Sequence, residues 1–85
     1  MSLHFDLRVG TTTIGGFEAQ RRSPLIDGQS EYLYDVTVSA HGLRVKFVVT
    51  HNRDDGAYVL VGNALTEALK LEPGLNVYPF GARRP

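Results

Sequence analysis

The chain has 85 residues, a size that supports one domain whose core leaves only about a few kcal/mol of net stability. It has no cysteine and 42% hydrophobic residues, which excludes a disulfide framework, a thiolate metal site and general disorder. Nine Lys and Arg balance nine Asp and Glu, so no global field draws the chain to nucleic acid or anionic membrane.

The opening MSLHFDLRVG has neither a basic nor an apolar signal region, and no secretory leader is expected there. No apolar run approaches the ~20 residues of a membrane span. With cysteine absent, the expected setting is soluble and cytoplasmic.

Residues 3–21 read as a hairpin. Leu3, Phe5, Leu7 and Val9 alternate with His4, Asp6 and Arg8, the period of a half-buried strand. A loop at Thr11 to Thr13 would set Leu7 opposite Phe17 and Phe5 opposite Ala19. Gly15-Gly16 signals a bulge or a close approach of another backbone.

The connector RSPLIDGQS, residues 22–30, is punctuated by Pro24 and Asp27-Gly28. Leu25 and Ile26 in its middle either tuck over the open end of the core or form a small patch for a partner.

The next hairpin has a specific register. A two-residue turn at His41-Gly42 pairs Ala40 with Leu43, Val38 with Val45, Val36 with Phe47, Tyr34 with Val49 and Tyr32 with His51. All of these share one face, and all but His51 are apolar or aromatic. The other face collects Asp35, Thr37, Ser39, Arg44, Lys46 and Thr50, with Leu33 and Val48 as exceptions. A slip of one residue would put charges in the core. The turn wants positive φ at both central positions, which glycine adopts freely and histidine tolerates.

Residues 54–74, DDGAYVLVGNALTEALKLEPG, admit two readings. One is a helix from Ala57 to Leu71 capped by Asp54 or Asp55. The other, favoured by the strand propensity of Tyr58, Val59 and Val61 and by Gly62, is a strand at 58–61 followed by a short helix capped by Asn63. Both place Leu65, Ala68 and Leu69 on one apolar face and end at Glu72-Pro73-Gly74. Leu75 to Phe80 reads as an extended edge segment, and 81–85 as a loose basic tail.

The expected architecture is a single α+β domain over residues 1–80. It is an antiparallel sheet of two hairpins, with possible further strands, and one C-terminal helix on one face. One helix hides one face, so the other is expected to stay open.

Chemical signals are sparse. His4, His41 and His51 lack the spacing of a metal site, so neither a metal nor a cofactor is expected. No phosphate-cradling or nucleophile motif is present, and no catalytic residue is assigned. The densest polar cluster is HNRDD, residues 51–55, with Tyr32 opposite His51; a nuclease-like enzyme using it is the most distant reading. The expectation is a non-enzymatic binding or regulatory module acting through protein contacts, as a homodimer or on a partner. Its candidate contact residues are Leu25, Ile26, Arg44, Lys46, His51 and Arg53. The alternative is nucleic-acid binding by the Arg44 and Lys46 face helped by Arg21, Arg22 and Arg83-Arg84.

Overall fold

A computed structural model describes residues 2–22 and 30–78. Four strands, β1 (Ser2–Val9), β2 (Thr12–Arg21), β3 (Glu31–Ala40) and β4 (Leu43–Asn52), form an antiparallel sheet in chain order. One helix, α1 (Ala57–Leu71), packs on β3 and β4, and a short 3-10 turn, Pro73–Leu75, follows it. The fold is α+β, as the patterning implies.

The β3–β4 register is the one that the His41-Gly42 turn dictates, from Ala40 opposite Leu43 to Tyr32 opposite His51. Both turn residues lie at positive φ, 52° for His41 and 80° for Gly42. The His41 N–H also donates to the Ile14 carbonyl at 3.0 Å, tying the tip to β2. Turn geometry accounts for this histidine.

The first hairpin differs from expectation. Its loop is Gly10-Thr11, not Thr11 to Thr13, and Phe5 faces Phe17 while Leu7 faces Gly15 and Leu3 faces Ala19. The register breaks between Leu7 and Arg8, leaving Ile14 as the extra residue of a bulge. This pairing stacks the Phe5 and Phe17 rings with centroids 4.9 Å apart, a contact the looser loop would forfeit. The close approach at Gly15 is present: a Cβ there would lie on the Ser39 carbonyl oxygen of β3.

Residues 57–71 are one helix, correcting the favoured strand-plus-helix reading. Leu60, Val61, Ala64, Leu65 and Ala68 are buried on one stripe, while the strand-prone Tyr58 and Val59 face outward. Burial of that stripe outweighs the ~1 kcal/mol cost of Gly62 in the helix interior. Neither aspartate caps the helix: Gly56 holds the N-cap position without a side-chain bond, and Asn63 lies inside the helix. The expected edge segment at 75–80 is also corrected over its described part. Pro73 opens the 3-10 turn, Asn76 turns left-handed at φ 51°, and Leu75 and Val77 are buried in the core. Their alternation is real, but it serves a plug and not a strand.

The core lies between sheet and helix. Ala19, Val36, Val38, Ala40 and Phe17 of the central strands are at most 1% exposed, whereas Leu3, Phe5, Val45 and Phe47 of the edge strands are only half-buried. On the other face His4, Asp6, Glu18, Gln20, Asp35, Arg44, Lys46 and Val48 are all exposed.

Gly15→Ala tests the packing of β2 on β3. The new methyl must displace backbone, so a loss of about 1–3 kcal/mol is expected in denaturant unfolding, whereas alanine at solvent-facing Gly56 meets no atom within 4 Å and should lose only the smaller N-cap preference for glycine. Equal stability of the two variants would contradict the close approach.

Candidate functional site

The candidate residues fall on opposite sides of the sheet. Arg44 and Lys46 stand exposed on the open face of β4, opposite Ser39 and Thr37 of β3. His51 and Arg53 belong to the helix side, at the far end of the same strand and in the turn that follows. Leu25 and Ile26 lie outside the described residues, as do Arg83 and Arg84.

A pocket of about 280 Å³ opens at the end of the sheet where β4 passes into the helix. Leu3, Ala57 and Leu60 form its apolar lining, and Tyr32 and Tyr34 of β3 give it aromatic walls. His51, Arg21, Arg53 and Asp55 supply its polar groups.

Strand register brings these groups together. Tyr32 faces His51, and Arg21 faces Tyr34. The Arg21 guanidinium lies 4.6 Å from the Tyr32 ring centroid, a cation–π contact. Tyr34 meets both the Tyr32 ring and the His51 ring edge to face, at 6.3 and 5.9 Å. The polar turn HNRDD is closed locally: Asp54 N–H donates to Asn52 Oδ1 at 2.8 Å and Asp55 N–H to the Asn52 carbonyl at 3.0 Å. That turn carries Arg53 and Asp55 to the pocket rim.

His51 is the unusual member. It is 6% exposed and is the only buried polar residue among the described ones. Its Nε2 lies 3.0 Å from the Asp55 carbonyl oxygen, which can only accept, so Nε2 carries the proton. In the neutral ring Nδ1 is then an acceptor, buried and without a partner among the described residues. Such an orphan costs about 1–3 kcal/mol relative to a satisfied one. Neither Arg21 nor Arg53 has a carboxylate partner among the described residues.

Arg22 behaves differently from its neighbour. It reaches Asp35 through two bonds, 2.6 Å from Nη2 and 3.2 Å from Nε. Hydrogen bonding, then charge, raises the arginine above its ordinary value, and the same hydrogen bond holds Asp35 below the ordinary carboxylate range. Among the described residues no group of three or more His, Cys, Asp or Glu is gathered to hold a metal ion. His4 and His41 stand apart from His51, one on the open face of β1 and one at the hairpin tip.

The contribution of Arg21 and Tyr34 to the pocket went unnoticed in the sequence, yet a signal existed. The two-residue period that places Phe17 and Ala19 inside also places Arg21 on the apolar face, an unusual site for an arginine.

No protein-family model matches the chain, and no curated protein or solved structure matches it. Function is therefore argued from the chemistry of the surfaces themselves.

The Asp35 carboxyl should titrate below the usual carboxylate range in NMR and return to it in Arg22→Ala. The pair's small contribution to stability is complete at neutral pH and is lost as acid protonates Asp35 through its depressed value. An unchanged titration in Arg22→Ala would contradict the pairing.

Proposed function

We propose that the protein is a small non-enzymatic binding module that acts through protein contacts, with a second copy of the chain as the partner its open sheet face fits best. The observation that supports this reading is the row Asp6, Gly16, Ser39, Arg44, which crosses that face from β1 to β4 in direct register. Read from the other side, the row begins with Arg44 and ends with Asp6. A twofold axis parallel to the strands, lying between two such faces, sets Arg44 of each copy against Asp6 of the other. The small residues Gly16 and Ser39 in the middle allow close approach. Exposed Leu33 and Val48, at 40% and 44%, add apolar area towards the other end of the same face.

Asp6 is free to exchange partners. Its contact with Arg8 is 3.8 Å long, and both side chains are more than half exposed, so solvent screens it. A domain of this size gains buried area most readily by association. Among the described residues no helix is long and apolar enough to cross a membrane, and the absence of cysteine suits a reducing compartment such as the cytoplasm.

Nucleic-acid binding through Arg44 and Lys46 is the weaker alternative. Arg22 is held by Asp35, and Asp6, Glu18 and Asp35 share the open face, so the field there is mixed.

Sedimentation and light scattering over a range of concentrations test the proposal. A dimer is expected, weakened about tenfold or more by Arg44→Asp and recovered when Asp6→Arg is added. A chain that stays monomeric throughout, or a dimer indifferent to both changes, refutes it. Salt-sensitive binding of RNA or DNA by the monomer, lost when Arg44 and Lys46 are both made Ala, would favour the alternative.

A further inference from the structure

We infer that the pocket at the β4–helix junction is a binding site for a small planar carboxylic acid that also carries a hydroxyl or N–H donor. The pocket lies on the helix side of the sheet and is independent of the open-face contact proposed above.

Three features set the ligand class. The first is charge: Arg21 and Arg53 line the pocket without a carboxylate partner among the described residues, and only Asp55 opposes them. Two guanidiniums against one carboxylate leave a net positive site, and their forked donors suit a carboxylate. An ammonium ligand is disfavoured on the same ground, because Arg21 already occupies the face of Tyr32.

The second feature is the hydrogen-bond demand of His51. With Nε2 donating to the Asp55 carbonyl, Nδ1 of the neutral ring presents a lone pair that no donor among the described residues meets. His51 lines the pocket, so a ligand hydroxyl or N–H that reaches this buried atom satisfies it. Few buried acceptors are left unpaired in folded proteins, and those that are call for a reason.

The third is shape. Tyr32 and Tyr34 wall the pocket, and Leu3 and Leu60 complete an apolar lining. A volume of about 280 Å³ falls at the small end of ligand clefts, which matches a single-ring acid and not a nucleotide or a peptide. A flat ring continues the edge-to-face packing that already joins Tyr32, Tyr34 and His51.

The experiment is an NMR and calorimetric titration of the whole chain with para-hydroxybenzoate, benzoate and para-hydroxybenzyl alcohol. Para-hydroxybenzoate should bind saturably at millimolar concentration or below and move the imidazole nitrogen signals of His51. Benzoate lacks the donor and the alcohol lacks the charge, so each should bind more weakly by about tenfold or more. Arg53→Gln, in an exposed turn, should weaken the acid by a similar factor while the spectrum stays folded. Arg21→Gln is the second variant; His51→Phe should abolish the preference for the hydroxylated acid. The same results are expected in Arg44→Asp, which leaves the pocket untouched, so failure here is separable from failure of the open-face contact. No saturable binding of para-hydroxybenzoate, equal binding of the uncharged alcohol, or indifference to both arginine changes would overturn the assignment.

Discussion

A four-stranded sheet has two faces, and the described chain contains one helix to cover them. Burial of the stripe Leu60, Val61, Ala64, Leu65 and Ala68 against the sheet is the interaction on which everything else rests. It converts a strand-prone segment into a helix and selects the sheet face that becomes core. It draws Leu75 and Val77 in after it. It also leaves His4, Glu18, Lys46 and the residues beside them to the outside, where charge and not packing governs their use.

Much of this organisation was legible in the residues. The β3–β4 hairpin could be read to the residue because a two-residue turn has one register, and a slip would bury Arg44 and Lys46. The first hairpin could not, since the bulge at Ile14 absorbs one residue and the stacking of Phe5 on Phe17 decides between neighbouring registers. At the start of the helix, local propensity and burial disagree. Tyr58 and Val59 favour strand, yet both face outward, and the buried positions follow the helical period. Of the candidate contact residues, His51 and Arg53 converge on one pocket and Arg44 and Lys46 on the opposite face. The two-residue period already parts His51 from Arg44 and Lys46; what it does not show is that Arg53, in the turn beyond the strand, reaches the same pocket as His51.

The sheet has two unlike surfaces. One face carries exposed groups of both charges, and the other opens at its end into a pocket of about 280 Å³. They share β3 and β4: the strands that carry Tyr32, Tyr34 and His51 at one end carry Ser39 and Arg44 at the other. Both surfaces thus depend on the same backbone ladder.

The strand order has a consequence for how the chain acquires its structure. Every strand pairs only with its neighbour in sequence, and the helix follows the last strand and packs back on β3 and β4. Loop closure therefore stays short at each step of assembly, apart from the connector between β2 and β3. Topologies of this local kind fold faster than sheets with crossed connections, because less chain entropy is lost before contacts form. The His41-Gly42 turn closes β3 on β4, and the Gly10-Thr11 loop closes β1 on β2, each with two residues of chain. The helix docks on the apolar face of the strands that precede it in the chain, so the interaction on which the finished core depends is itself a local one.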